Sequence, residues 1–308
     1  MERTAGIYVA GHRGLVGSAL VKRLRDAGHT RLILKTHQEL DLTRREAVEE
    51  FFRKEKPDYV FLAAARVGGI QVNQARPAEF IHDNLLIQTS VLHAAYQSGV
   101  KRLIFFGSSC LYPREAAQPM REDALFSGPM EKSSEAYSTS KFAGYIMCEA
   151  YNRQFGTQFL TVIPATLYGP HDNFDPESSH VLSALLRRFH EQRRAPTVTV
   201  WGTGRPVREF LYVDDLAEAC LFLMNFEGAL PTMPINIGTG RGTSIQKLAE
   251  TIASVVGFRG TLAFDPSKPD GAPEKVLDST RLRSLGWMAR TSLEEGLQRT
   301  YEWYLNQN

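Results

Sequence analysis

The chain has 308 residues, of which 43% are hydrophobic and 23% are charged, so it can bury the core of one large or two modest globular domains. Lysine and arginine number 36 against 34 aspartate and glutamate, and this net charge of +2 argues against a nucleic-acid scaffold, which usually carries a basic stripe. The three cysteines form no CxxC pair, and we recognise neither a signal peptide nor an apolar run of membrane-spanning length, so we expect a cytoplasmic protein without membrane or nucleic-acid partners.

A glycine-rich turn follows the first apolar run, Gly6–Ala10, and precedes a segment with helical spacing, Ser18–Ala27. The turn consists of Gly11, His12, Arg13, Gly14, Leu15, Val16 and Gly17. Between a strand and a helix, such glycines let backbone N–H groups approach a phosphate, and the helix N-terminus adds partial positive charge. GxxGxxG is a weak motif that also occurs in purely structural turns, but its place at the first strand–helix junction favours a dinucleotide site.

The second predicted strand, Arg31–Leu34, ends where NAD-specific sites carry an acid for the ribose hydroxyls, and here Lys35 occupies that place. The first acid is Glu39. A cationic pair of Arg13 and Lys35 suits a 2′-phosphate and therefore predicts NADP(H) rather than NAD(H). The alternative is that both cations are solvated surface charges.

Strands and helices alternate through the first half of the chain, which predicts an α/β fold with a doubly wound parallel (Rossmann) sheet. After the second strand we predict a helix at Val48–Lys54, a strand at Tyr59–Ala65, a helix at Pro77–Gln97 and a strand at Lys101–Phe106. Functional groups of such sheets gather past the carboxyl ends of the strands. The further cofactor-binding candidates are accordingly Thr36, Asp41, Leu42, Ala63, Ala64, Phe106, Gly107, Ser108, Pro164, Ala165, Thr166 and Leu167.

Tyr137 and Lys141 lie four residues apart in a predicted helix, Glu135–Phe155, and would leave the same face. A phenol beside an ammonium group can act as an acid or base near neutral pH, because the positive charge favours the phenolate. Tyr-x-x-x-Lys alone is more often ordinary helix surface. The glycine turn, the stretch Gly107–Cys110 and the stretch Pro170–Asn173 strengthen its interpretation as a site.

Beyond Val162–Thr166 the alternation loosens, which predicts a smaller mixed α/β lobe for the substrate. We expect residues 1–166 plus about 209–241 to form the NADP-binding domain, and about 167–208 plus 242–308 to form the substrate lobe. The predicted elements are a helix at His180–Gln192, a strand at Val198–Trp201, a helix from Glu209 through Phe222, a last strand of the main sheet at Pro234–Gly238 and a closing helix at Leu293–Tyr304.

Together these motifs resemble the extended short-chain dehydrogenase/reductase family, and more narrowly its GDP-sugar epimerase–reductases. The resemblance runs nearly end to end and is carried by Gly11–Ala19, Val67–Ile70, Gly107–Pro113, Tyr137–Lys141, Tyr168–Phe174, His180–Leu182, Val200–Gly204 and Arg208–Phe210. It implies conversion of GDP-4-keto-6-deoxy-D-mannose to GDP-L-fucose, by C3/C5 epimerisation followed by hydride transfer from NADPH to C4. It also implies a homodimer in which the two long helices of each subunit pair into a four-helix bundle.

The chemistry of a 4-keto sugar suggests roles for five catalytic candidates. Hydrogens beside the ketone are acidic, and Cys110 and His180 suit the proton transfers because both titrate within reach of neutral pH. Ser108 and Tyr137 would hold the C4 oxygen, and Tyr137 would protonate it during reduction. Lys141 would support the phenol and, by resemblance, bind the nicotinamide ribose; the resemblance also adds His180 to the cofactor contacts. The alternatives are a turn cap for Ser108, a small buried hydrophobe for Cys110 and a helix-start histidine satisfied in the core for His180.

Five residues are candidates for binding the GDP-sugar. Arginine recognises a diphosphate better than lysine because its guanidinium is a fork, so Arg208 is the first choice and Arg187 or Arg188 the second. Trp201 could stack on or border the nucleotide, or could be a core aromatic of the lobe. Asp270 resembles a family substrate contact.

Two other functions remain open on the sequence. One is another sugar-nucleotide 4-epimerase or 4,6-dehydratase with tightly bound NAD+, which would have no role for Cys110 or His180. The other is a non-catalytic NADP-binding protein, which would not need the five catalytic candidates together. The eight histidines show no ligand spacing, so we predict no metal site.

Overall fold

The computed structural model describes residues 1–175, 178–268 and 270–307. The strands are β1 (Ile7–Ala10), β2 (Leu32–Ile33), β3 (Tyr59–Leu62), β4 (Arg102–Phe106), β5 (Phe159–Pro164), β6 (Thr166–Tyr168), β7 (Thr197–Trp201), β8 (Val207–Tyr212), β9 (Ile235–Ile237), β10 (Gly242–Ser244), β11 (Thr261–Asp265) and β12 (Glu274–Lys275). The α-helices are α1 (Leu15–Asp26), α2 (Arg45–Glu55), α3 (Ile70–Ala75), α4 (Pro77–Gln97), α5 (Glu135–Phe155), α6 (Val181–Glu191), α7 (Val213–Asn225), α8 (Ile245–Val256), α9 (Thr280–Ser284) and α10 (Leu293–Leu305).

Six parallel strands form the central sheet in the order β2-β1-β3-β4-β5-β9. The predicted α/β fold with a parallel sheet is therefore confirmed, including its last strand at Ile235–Ile237. The chain reverses direction across the sheet between β1 and β3, because β2 lies on the other side of β1. Ligands of doubly wound sheets bind in the crevice at such a switch point, beyond the carboxyl ends of the strands.

Alternate residues of β1 face opposite sides of the sheet and define its two cores. Ile7 and Val9 pack with α1 and α7 on one face. Tyr8 and Ala10 pack with α2, α4 and α5 on the other. All four residues are buried, as expected for a parallel strand that is covered on both faces.

The two long helices have the predicted bounds, Pro77–Gln97 and Glu135–Phe155. They cross closely at Gly144, where a Cβ atom would overlap the Phe105 ring and lie 2.9 Å from Gln88 Oε1. Gln88 Nε2 also donates a hydrogen bond of 2.6 Å to the backbone carbonyl of Ser140. Among the described residues, no helix combines the length and the apolar character that crossing a membrane requires.

The smaller lobe contains a mixed sheet built around β8, which pairs with β6, β10 and β12. A separate pair, β7 and β11, lies beside it, and α6, α8 and α10 supply the apolar side chains of its core. The predicted helix from Glu209 is wrong at its start, because Glu209–Tyr212 belong to β8 and α7 begins at Val213. A short apolar run fits a strand as well as a helix, and here strand partners on both sides decide the outcome. The division into two domains stays a prediction.

We expect Gly144→Ala to lower the free energy of unfolding by about 1–3 kcal/mol, because overpacking against Phe105 outweighs the ~1 kcal/mol that alanine gains over glycine in a helix. Urea unfolding followed by circular dichroism measures the change. Gly128→Ala is the control, since its Cβ would lie 3.4 Å from Pro113, which is an ordinary contact. Equal stability of the Gly144 variant and the unchanged protein would contradict the close packing of Gly144 against Phe105.

Candidate active site

Two glycines give the turn after β1 its shape. Gly11 has φ +81°, and a Cβ there would lie 2.8 Å from the backbone nitrogen of Ala64, which follows β3. Such a φ disfavours residues with a side chain, and the contact leaves no space for one. A Cβ on Gly17 would overlap the carbonyl oxygen of Gly11, so α1 begins directly against the turn. The protein's own packing therefore requires both glycines.

Gly14 differs from these two, because a Cβ on it would meet, among the described residues, only Gly11 O at 3.6 Å. It is the N-cap of α1, and no described side chain caps this helix. The first N–H groups of a helix have no intrahelical partner and favour an anion. His12 Nδ1 is also buried without a hydrogen-bond partner among the described residues. The turn thus fits the diphosphate of a dinucleotide.

Arg13 and Lys35 lie close to the same carboxylate, that of Glu39. The backbone N–H of Thr36 donates to Glu39 Oε2 at 2.8 Å and its hydroxyl at 2.7 Å. These hydrogen bonds, and the charges of Lys35 and Arg13, lower the pKa of Glu39. The two cations that the sequence predicts for a 2′-phosphate therefore act on the same carboxylate.

The other cofactor candidates follow the strands of the main sheet. Ala63 and Ala64 come after β3, Phe106 ends β4, and Pro164 ends β5, with Ala165, Thr166 and Leu167 next in the chain. Because the strands are parallel, these positions share one edge with the glycine turn. Asp41 accepts hydrogen bonds from the backbone N–H and hydroxyl of Thr43, and Leu42 is buried in the core that contains α2.

Lys141 connects α5 to the end of β4. Its side chain is 3% exposed, and Nζ donates a hydrogen bond of 2.9 Å to the backbone carbonyl of Phe106. Nζ also lies 4.9 Å from the ring centroid of Phe105. Burial lowers the pKa of Lys141 to about 8, because removing the ammonium group from water disfavours its charged form.

Tyr137, Ser108 and Cys110 meet at this end of β4. The Ser108 hydroxyl accepts from the backbone N–H of Cys110 at 3.2 Å and hydrogen-bonds to Tyr137. Burial, and then negative charge on Cys110, raise the pKa of Tyr137 above its usual range, while the Ser108 hydrogen bond lowers it in part. These effects favour a neutral phenol, the form in which Tyr137 would donate a proton. The ammonium group of Lys141 hydrogen-bonds to the carbonyl of Phe106.

Both alternatives for Cys110 and His180 differ from what the structure shows. Cys110 is partly exposed, whereas Cys148 and Cys220 are buried. His180 is exposed at the N-cap of α6 and is not a core histidine. Burial raises the pKa of nearby Asp172, and the positive charge of His180 acts in the opposite direction. Asp172 in turn accepts a hydrogen bond from the Ser183 hydroxyl in the first turn of α6.

A loop of residues 66–69, here called the 66–69 loop, lies between the Tyr137 side and the His180 side of the site. A Cβ on Gly68 would lie 3.3 Å from Phe80, whose ring packs edge-on against Tyr137 at a centroid distance of 6.2 Å. The N–H of Gly69 donates to the carbonyl of Ser178 at 3.0 Å. Phe80 could not be recognised as a site residue from the sequence, because an apolar residue in a helix looks like any other core residue.

Arg188 and Trp201 form part of a cationic surface on the smaller lobe. The Arg188 guanidinium lies 5.2 Å and Lys268 Nζ 5.7 Å from the Trp201 ring. Trp201 is 54% exposed, so the alternative of a core aromatic is wrong. Arg187 has different partners, Glu191 at 2.6 Å and the carbonyl of Phe174 at 3.1 Å. Of the two arginines, the structure therefore brings only Arg188 to the tryptophan.

Arg208 and Asp270 lie on the same side of the lobe. Arg208 is partly buried, which lowers its pKa, and the charge of Asp270 acts in the opposite direction. Asp270 accepts from the N–H of Thr203 at 2.9 Å and from its hydroxyl at 2.6 Å. A Cβ on Gly202 would overlap the Asp270 carboxylate. Asp270 thus holds the turn that follows Trp201.

The sequence profile of the NAD dependent epimerase/dehydratase family matches residues 7–238, and the chain belongs to this family. It is 55% identical to GDP-L-fucose synthase 1 of Arabidopsis thaliana over 99% of this chain and 94% of that protein. It is 50% identical to the GDP-L-fucose synthase of Escherichia coli strain K12, over 97% and 96% of the two chains.

Solved structures agree with this assignment. A GDP-6-OMe-4-keto-L-xylo-heptose reductase from C. jejuni superposes with a TM-score of 0.94 at 39% identity, over 100% of this chain and 99% of that one. A GDP-L-fucose synthetase from Naegleria fowleri bound to NADP superposes with a TM-score of 0.91 at 29% identity, over 100% and 96%.

We expect Lys141→Met to be more stable than the unchanged protein at pH 7, by at most about 3 kcal/mol from the change in pKa. Below pH 8 the folded protein bears the full cost of burying the ammonium group. From pH 8 to 10.5 the folded state binds fewer protons than the unfolded state, so the unchanged protein gains stability as pH rises. Above pH 10.5 the variant is therefore no longer more stable than the unchanged protein. Urea unfolding at pH 7, 9 and 10 measures this. Lys54→Met, at an exposed position, should follow the unchanged protein, and a Lys141 variant that is less stable at pH 7 would contradict the prediction.

Proposed function

We propose that the protein converts GDP-4-keto-6-deoxy-D-mannose to GDP-L-fucose, by epimerisation at C3 and C5 and reduction at C4. The relatives that are named GDP-L-fucose synthases and share 50% and 55% identity with this chain support the substrate. One observation carries the proposal, namely a partly exposed thiol, Cys110, beside the pair of Ser108 and Tyr137. A reductase has no need for that thiol, whereas an epimerase needs further acid–base groups.

The cofactor is NADP(H), which when bound supplies the hydride that C4 receives. A structural relative binds NADP. In this chain the N-terminus of α1 at Gly14 would hold the diphosphate, and Arg13 and Lys35 would hold the 2′-phosphate. Lys141 would hydrogen-bond to the nicotinamide ribose.

Epimerisation uses the acidity of the hydrogens beside the C4 ketone. Of Cys110 and His180, one removes a proton from the carbon and the other returns a proton on the opposite face. The C4 oxygen carries negative charge between these two steps. Ser108 and Tyr137 stabilise that oxygen, because both present hydroxyl donors at the end of β4.

Reduction requires a proton at the same C4 oxygen. Tyr137 is a neutral phenol in this site and donates that proton as the ketone becomes an alcohol. Lys141, with a pKa of about 8, is mostly charged at neutral pH and lies one helical turn away. Its positive charge favours the phenolate that remains after the proton transfer.

The GDP portion of the substrate fits the cationic surface of the smaller lobe. Arg208 and Arg188 would bind the diphosphate, and Trp201 offers an exposed ring for the nucleotide. Asp270 would act mainly by holding the turn after Trp201. Arg187 forms a salt bridge with Glu191 and is therefore less available to bind the substrate.

The other functions that the sequence left open are less favoured. A 4-epimerase or 4,6-dehydratase that keeps NAD+ would not need the cation pair of Arg13 and Lys35. The similarity to curated GDP-L-fucose synthases also speaks against it. A non-catalytic NADP-binding protein would not need a thiol at Cys110 next to Tyr137.

A second copy of this chain fits the outer face of α4 and α5. Ile146 on α5 is 38% exposed, and Leu85 and Leu86 on α4 are partly exposed. Such apolar side chains on two adjacent helices favour a homodimer that pairs these helices from both subunits.

A cytoplasmic location is part of the proposal, because Cys110 must remain a free thiol to transfer protons.

We expect Cys110→Ser to lose GDP-L-fucose formation, because a serine hydroxyl does not ionise near neutral pH, while slow NADPH consumption continues through Tyr137. The assay mixes the protein with GDP-4-keto-6-deoxy-D-mannose and NADPH, follows the NADPH absorbance and identifies the sugar by NMR. Ser109→Ala, on the same turn, is the control and should make GDP-L-fucose. If the unchanged protein leaves NADPH untouched, the proposed function fails. A Cys110 variant that still makes GDP-L-fucose would remove Cys110 from the mechanism.

We expect the unchanged protein to sediment as a dimer at micromolar concentration and Ile146→Asp to shift it towards monomer, since the new charge would be buried in the interface. Analytical ultracentrifugation measures the shift. Met288→Asp, a change at another exposed apolar residue, is the control and should leave the dimer intact. A monomeric unchanged protein would refute the proposed dimer.

A further inference from the structure

Asn73 in α3 holds the 66–69 loop through two hydrogen bonds. Its side chain is 8% exposed, and Nδ2 donates to the carbonyl of Gly68 at 2.8 Å and to that of Gly69 at 3.0 Å. A buried amide with such partners is costly to remove, because the carbonyls lose their donors. Asn73 therefore fixes the second half of this loop.

The same half of the loop contacts the segment that leads into His180. Gly69 N–H donates to the carbonyl of Ser178 at 3.0 Å, and a Cβ on Gly69 would lie 3.1 Å from the carbonyl oxygen of Ser179. The two backbones thus meet without space for a side chain. His180 follows Ser179 directly, so its approach to the site depends on where Gly69 lies.

The first half of the loop is anchored separately. Asn84 in α4 is buried, and its Oδ1 accepts from the N–H of Arg66 at 2.9 Å while its Nδ2 donates to the carbonyl of Arg66 at 3.0 Å. Loss of Asn73 would therefore loosen the Gly68–Gly69 end and leave the Arg66 end in place.

The reducing groups have a different support. Lys141 is bonded to the carbonyl of Phe106, and Tyr137 and Ser108 lie at the same end of β4. The apolar ring of Phe80 lies between Gly68 of the 66–69 loop and the Tyr137 ring. The position of His180 can thus change without displacing the hydroxyl groups at C4.

We propose that Asn73 is a positioning residue for epimerisation, acting through Gly69 and Ser178 on His180, and that it decides how completely the sugar is epimerised before it is reduced. This inference rests on the proposed function.

The two reactions compete for one ketone. Each inversion removes one proton from carbon and returns one, with no net change of electrons. Reduction adds a hydride at C4 and a proton from Tyr137 at the oxygen, and oxidises NADPH to NADP+. Once the ketone is reduced, the hydrogens at C3 and C5 are no longer acidic, so epimerisation stops. The fraction of product that is fully epimerised therefore depends on the rate of epimerisation relative to the rate of reduction.

The experiment compares Asn73→Ala and Asn73→Asp with the unchanged protein. Aspartate keeps the size of the side chain, but at neutral pH it donates no hydrogen bond and its charge repels the two carbonyl oxygens, so it tests the same two contacts in a second way. Asn152→Ala is the control, because the Asn152 side chain also holds backbone groups but lies far from the site, donating to the carbonyl of Phe159 and accepting from its N–H, both at 2.8 Å. The substrate is GDP-4-keto-6-deoxy-D-mannose with NADPH, and NMR identifies the sugars.

We expect the Asn73 variants to raise the fraction of GDP-6-deoxy sugars that lack one or both inversions by about tenfold, equivalent to about 1.4 kcal/mol between the two barriers. NADPH consumption should change far less. Deuterium uptake at C3 and C5 from heavy water, measured with NADP+ in place of NADPH, should slow by a similar factor. The Asn152 control should match the unchanged protein in both measurements.

Two results would overturn the inference while leaving the proposed function standing. One is an unchanged product ratio and deuterium uptake in both Asn73 variants. The other is a parallel fall of epimerisation and reduction, which would mark a general structural role. An unchanged protein that neither consumes NADPH nor exchanges deuterium would refute the proposed function, and this inference with it.

Discussion

The arrangement of the site depends on the hydrogen bond that the buried ammonium group of Lys141 donates to the carbonyl of Phe106. A buried charge without a partner is unfavourable. Here the carbonyl of Phe106 and the ring of Phe105 stabilise the ammonium group. That carbonyl belongs to the last residue of β4. One hydrogen bond thus fixes α5 against the carboxyl edge of the sheet and sets Tyr137, one turn earlier, beside Ser108.

Much of this arrangement could be predicted from the sequence, because it is local. The spacing of Tyr137 and Lys141 places both on one helix face, and the alternation of strands with helices places Ser108 and Cys110 at a strand end. The start of α7 could not be predicted, since Glu209–Tyr212 join β8 through partners that are distant in the chain. The contact of Gly69 with Ser178 is hidden for the same reason. The ionisation of Tyr137 depends on burial, which residue spacing does not reveal.

The cations near the glycine turn and on the smaller lobe could be identified from the sequence, but their positions relative to other residues could not. Arg13 and Lys35 were recognisable as cations at two turns, but only the fold brings both to Glu39. Arg187 and Arg188 are equivalent in the sequence. A helix separates neighbouring side chains by roughly 100°, so Arg188 reaches Trp201 while Arg187 pairs with Glu191.

The state of Tyr137 has a consequence for the order of the reactions. Burial raises the pKa of Tyr137, so the phenol keeps its proton at neutral pH, and in the proposed mechanism this proton can serve reduction before epimerisation is complete. In the proposed mechanism the order then depends on relative rates, so the groups that would move protons at carbon have to be in place before hydride transfer. Cys110, which is proposed for one of these transfers, shares the end of β4 with Ser108. His180 lies on another element, and its position depends on the backbone contact that Gly69 makes with Ser178.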